Sequence, residues 1–119
     1  MKHNLMLLSF SVVMLTAAFS PVAVRAQDAQ RIEITAKRFN FTPGEITVKK
    51  GQPVVLVLHS EDVEHGLRIN EFGVNAHIQP GKTIEVKFTP GKTGNFVGHC
   101  IVFCGPGHGT MEIKVHVVA

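Results

Sequence analysis

This sequence predicts an all-β fold, a small Greek-key sandwich or barrel, on three observations. Apolar residues alternate with polar ones in several separate runs, the period of a strand with one buried face. Pro43-Gly44, Gly51, Pro80-Gly81 and Pro90-Gly91 punctuate those runs at short intervals. Between residues 27 and 119 no apolar pattern at helical period lasts three turns. Short strands at this spacing bury their faces by packing against a second sheet.

The first 26 residues are expected to lie outside that fold. Lys2 and His3 give a basic start, residues 5–19 an apolar run, and Val24-Arg25-Ala26 small residues ahead of a cut at Gln27. That order is a secretory signal peptide, and the run is short for a membrane span. Residues 27–119 then form one domain, periplasmic or secreted, with no membrane span once the signal is cleaved. An uncleaved N-terminal anchor is the alternative.

The elements follow in order. Residues 31–39, "RIEITAKRF", alternate Ile32, Ile34 and Ala36 with polar neighbours. Residues 44–51 repeat the pattern with Ile46 and Val48. Residues 53–60, "PVVLVLHS", are a continuous apolar run, as in a strand buried on both faces. Residues 82–91 set Ile84, Val86 and Phe88 on one side. "GNFVGHC" runs as a strand into Cys100, and Met111 opens a last strand with Ile113, Val115 and Val117 on its inner face. His77 reads as loop, His116 as solvated, and His99 as turned away from its neighbour Cys100. His59 reads as a hydrogen-bonded residue at the end of a buried strand.

Charge excludes one class of partner. The whole chain has 12 Lys+Arg against 9 Asp+Glu, for +3, but Lys2 and Arg25 sit in the expected signal. The remainder is near neutral and has no basic block, so nucleic acid is not an expected partner.

The chemistry gathers in "GHCIVFCGPGHGTMEI", residues 98–113, which holds both cysteines. Cys100, Cys104, His108 and Met111 are spaced by four, four and three. Gly105, Pro106, Gly107 and Gly109 make a helix unlikely to explain that stripe, so the stretch reads as strand end, loop and strand start. Two cysteines in an exported protein are open to a disulfide reading. A metal site is the sharper one. Thiolate, thioether and imidazole together suit copper, and a thioether is a poor zinc ligand.

At these residues the sequence resembles the binuclear copper A (CuA) domain, the cupredoxin of cytochrome c oxidase subunit II and nitrous oxide reductase. Its loop has two cysteines four apart, a histidine four further on and a methionine three beyond. "SEDVEHGLRI", residues 60–69, is similar to the family's upstream segment and puts its second histidine at His65. "FNFTPGEITVKKGQPV" resembles its opening strand pair. The resemblance implies a cupredoxin-like Greek-key β-sandwich. It also implies two copper ions held by His65, Cys100, Cys104, His108, Met111 and the backbone carbonyl of Val102.

The function so implied is electron transfer by an exported copper protein, with a cytochrome c or a terminal oxidase as redox partner. By itself the domain would be a redox module and not an enzyme, serving as an accessory or subunit of an oxidase-type complex. The alternatives are a mononuclear blue-copper carrier using His65, Cys104, His108 and Met111, a copper chaperone or storage protein for oxidase assembly, and a metal-free disulfide domain. The sequence departs from the family in three ways. It lacks the two membrane helices of the oxidase subunit, it has no Trp or Tyr, and Val102 stands where many oxidases have an acidic residue. Phe72, Phe96 and Phe103 are candidates for apolar docking surface, with core packing as their other use.

Overall fold

The computed structural model describes residues 17–18 and 29–119. Apart from Ala17 and Ala18, the expected signal peptide lies outside the described residues. Nine strands follow in order: β1 (Gln30–Lys37), β2 (Asn40–Thr42), β3 (Glu45–Lys49), β4 (Val54–Ser60), β5 (His65–Ile69), β6 (Val74–Ile78), β7 (Ile84–Phe88), β8 (Gly94–His99) and β9 (Glu112–Val118). They make a four-stranded sheet, β2-β1-β4-β7, and a five-stranded sheet, β3-β9-β8-β5-β6. The predicted all-β class and sandwich architecture hold.

The alternating runs bury the expected side chains. Ile34, Leu56 and Leu58 from one sheet meet Leu67, Ile69, Ile78, Ile113 and Val115 from the other, all without solvent exposure. The apolar run of β4 is buried on both faces, as its composition predicts. Val54, Leu56 and Leu58 point into the core, while Val55 and Val57 lie on the outer face yet stay buried. Arg31 on β1 is the register partner of Val55, and Glu85 on β7 that of Val57. Their ion pair, 2.6 Å long, crosses over β4. Long side chains whose stems lie on apolar surface shield those valines from water.

Two strands go beyond the sequence reading. β5 and β6 pair antiparallel over five residues and form one flank of the larger sheet. His77 lies in β6, which corrects its reading as loop: the strand places it opposite Gly66 with its ring outward, against Glu64. β2 is a third short strand that the pattern did not resolve. Met111 stands one residue before β9, not within it.

Sheet topology gathers the ligand candidates at one end. β5 and β9 flank β8, and both run antiparallel to it. The starts of β5 and β9 therefore lie beside the end of β8. His65 opens β5, Cys100 follows β8, and Met111 precedes β9. A hydrogen bond from the Cys100 N–H to the Met111 carbonyl, 3.1 Å, closes the neck of the loop between them.

Candidate metal centre

Cys100 and Cys104 are free thiols, both buried. The ligand atoms of His65, Cys100 and Cys104 all lie within 4.8 Å of one another. The two sulfurs have separate companions. Cys100 Sγ is 3.9 Å from His65 Nδ1 and 3.3 Å from the Val102 carbonyl oxygen. Cys104 Sγ is 3.7 Å from His108 Nδ1 and 3.8 Å from Met111 Sδ. All six residues singled out in the sequence thus converge, each thiol with one imidazole nitrogen and one weaker donor. Soft sulfur donors beside imidazole, in an apolar surround, fit copper in preference to hard cations.

The loop can wrap this tightly because of its glycines. Gly105 has φ +137°, a conformation that disfavours side chains. At Gly107 a Cβ would overlap the Phe39 ring, so that ring packs directly against the loop backbone. Gly66 plays the same part on the other side. A Cβ there would come within 2.5 Å of Ile101 Cγ1 and 3.2 Å of Val102 Cγ2.

Asp62 orients His65, which is fully buried. Asp62 Oδ1 lies 2.7 Å from His65 Nε2. A proton on Nε2 donated to that carboxylate leaves Nδ1, the nitrogen facing Cys100, with its lone pair available. Asp62 is itself held by the N–H groups of Arg38 and Val63. Partial burial opposes its ionisation, but these N–H donors and His65 outweigh it and hold the carboxyl below the usual range. The stability this contributes is present above the ordinary Asp value near 4 and is lost as pH falls through the folded value. Sequence reasoning passed over Asp62, although a carboxylate three residues before a candidate ligand was the available signal.

Cys104 behaves oppositely. Burial, then the nearby Cys100, push its thiol up to about 11. The metal-free fold therefore favours the protonated thiol, and that preference stabilises it fully below the ordinary value of 9.0. As pH rises from there towards 11 the unfolded chain releases its proton first, so stability falls. Denaturant midpoints of metal-free protein are expected to drop across pH 9–11, and Cys104→Ala is expected to flatten that slope.

The remaining histidines have other partners. His59 Nε2 and Thr35 Oγ1 are 2.9 Å apart, consistent with a hydrogen-bonded residue. His99 is exposed, on the face opposite buried Cys100. His116 is only partly exposed, with Nδ1 2.6 Å from Asn95 Oδ1 and Nε2 3.5 Å from Glu45, a correction to the solvated reading. Among the phenylalanines, Phe72 stacks on Phe88 at 4.7 Å and meets Phe96 edge-on at 5.0 Å, so both pack against the core. Phe103 alone of the three candidates is exposed, at 77 %, its ring 5.8 Å from that of His108. It borders a hollow of about 300 Å³ lined also by Arg38, Val63, Glu64 and Val102.

Comparison with known proteins identifies the family. The cupredoxin-like domain family matches residues 5–111. Cytochrome c oxidase subunit 2 of Thermus thermophilus is 30% identical over 87 residues, which are 70% of this chain and 64% of that protein. Nitrous-oxide reductase of Cupriavidus necator is 34% identical over 92 residues, 74% of this chain and 14% of that protein. The chain thus spans less than two thirds of the length of these relatives. Among solved structures, the periplasmic domain of subunit II of cytochrome oxidase from Bradyrhizobium japonicum superposes with a TM-score of 0.70 and 25% identity, over 75% of this chain and 83% of that one. The chain belongs to the cupredoxin-like domain family, and its cysteine–histidine cluster fits a CuA-like site.

Proposed function

We propose that residues 27–119 form an exported electron-transfer domain with a binuclear copper centre, released by cleavage of a signal peptide at residues 1–26. One observation carries this reading: each thiol has its own nitrogen and its own weak donor, so the donors divide into two matched halves. A mononuclear site of His65, Cys104, His108 and Met111 would leave the buried Cys100 thiol and the Val102 carbonyl that faces it without a role. His65, Cys100, Val102, Cys104, His108 and Met111 are the proposed ligands. A copper pair held by these residues would supply a one-electron couple whose charge change is shared by two ions.

The chain's own residues do the rest. Asp62 keeps His65 Nδ1 directed at the cluster. The buried thiols and Met111 exclude water, which limits solvent rearrangement on electron transfer. His108 is partly exposed beside Phe103, which makes that edge the shortest way in for an electron. A cytochrome c or a terminal oxidase is the proposed partner, and the periplasm or cell exterior the proposed location. The domain acts as a redox module serving an oxidase-type complex, with no substrate chemistry of its own.

Copper analysis after reconstitution under reducing conditions tests the reading. Two coppers per chain, with an electron paramagnetic resonance spectrum coupled to two equivalent nuclei, are expected; one copper would sink the binuclear centre. Rapid surrender of the metal to an apo-protein acceptor would favour the chaperone reading. Asp62→Asn is expected to weaken copper binding by about 10- to 100-fold, measured by chelator competition, because the new amide N–H₂ faces a donor and His65 loses its carboxylate.

A further inference from the structure

The link between β1 and β2 belongs to the sheet that carries no ligand, yet it reaches the ligand loop. Arg38 Nε donates to the Cys104 carbonyl oxygen at 2.7 Å, between residues 66 positions apart. Its neighbour Phe39 packs against the same loop: a Cβ on Gly105 would stand 3.0 Å from the ring and one on Gly107 would overlap it. The Arg38 backbone N–H donates to Asp62 Oδ2 at 2.8 Å, and the other oxygen of Asp62 holds His65. Arg38 therefore ties both halves of the site together, by its main chain towards His65 and by its side chain towards Cys104. Among the described residues its guanidinium forms no ion pair with a carboxylate.

We propose that Arg38 is a positioning residue for the metal loop. On the copper reading above, on which the second part rests, it also sets the reduction potential. Its hydrogen bond fixes the Cys104 carbonyl, so the loop stands closed over the thiols before metal arrives. Its charge is held against the Cys104 backbone, and although the Asp62 carboxylate accepts from its main-chain N–H, no carboxylate among the described residues pairs with the guanidinium itself. One-electron reduction makes the cluster more negative, and a cation held close by favours that state.

Three substitutions separate the two effects. Glutamine carries Nε2 at the same chain position as arginine Nε, so Arg38→Gln keeps the donor and removes the charge. Arg38→Lys keeps the charge and carries its nitrogen one atom further out. Arg38→Ala removes both. In metal-free protein, the thiols of Arg38→Ala are expected to react about tenfold faster with the uncharged reagent N-ethylmaleimide, the ratio set by loss of one hydrogen bond. Arg38→Gln, which keeps the donor, is expected to react no faster than the wild type.

In copper-loaded protein, spectroelectrochemistry is expected to find the potential lowered in Arg38→Gln and Arg38→Ala and held in Arg38→Lys. The shift should shrink at high salt, since Arg38 is exposed. Wild-type thiol reactivity in Arg38→Ala overturns the positioning role, and a wild-type potential in Arg38→Gln overturns the electrostatic one. The thiol measurement needs no metal, so it decides the positioning role even if the wild-type copper count overturns the binuclear centre. Arg38 lies on the surface, and far-UV circular dichroism verifies that each variant is folded.

Discussion

Cys100→Ser is expected, on the proposed binuclear reading, to abolish the two-copper spectrum and lower the metal count to at most one per chain. The serine hydroxyl is a hard, protonated donor at neutral pH and cannot replace a thiolate bridge to copper. Cys100 holds one half of the donor set, and His65 Nδ1 and the Val102 carbonyl both face its sulfur. The fold should survive, because the exchange of sulfur for oxygen is small and the hydroxyl retains the Val102 carbonyl as acceptor. Metal analysis with electron paramagnetic resonance measures the loss, and circular dichroism the retention. A two-nucleus spectrum that persists unchanged in this variant would refute the bridging role of Cys100.

Leu56→Ala is expected to do the reverse. Leu56 is fully buried at the middle of β4, paired with Ile32 on one side and Val86 on the other. Truncating such a residue removes transfer free energy and leaves a cavity, costing about 2–5 kcal/mol. For a domain of this size each kcal/mol lowers Tm by about 4–8 °C, so a fall of roughly 8–40 °C is expected. Calorimetry of metal-free protein checks it. At temperatures where the variant stays folded, it should still take up the full wild-type complement of copper. Leu56 lies in the sheet that contributes no ligand. Together the two variants separate what holds the framework from what the framework holds.

Most of the framework was legible in the residues because its strands keep a strict period of two. Ile46 and Val48, or Ile113, Val115 and Val117, announce a strand and also its inner face. β5 and β6 were harder to read. In β5 only Leu67 and Ile69 mark the inner face, since inward His65 is polar and Gly66 has no side chain, and β6 is five residues with outward Asn75 and His77. The sulfur-bearing loop was legible because its donors lie within twelve residues of one another. His65 came from likeness alone, since nothing in its local pattern separates it from the other histidines. Arg38 and Phe39 could not have been found, because their partners in the ligand loop are more than sixty positions away and only the folded sheets bring them together.

The parallel pairing of β3 with β9 governs when this centre can come into being. Residues 45 and 114 are register partners, 69 positions apart. Closing contacts so distant in sequence is slow, on the order of milliseconds to seconds in β proteins of this kind. Until that closure Cys100 and Cys104 have no sheet to shelter them. If the chain is exported to an oxidising compartment, as proposed, sandwich closure races thiol oxidation in each newly made copy, which puts the vulnerable moment of its life before maturity.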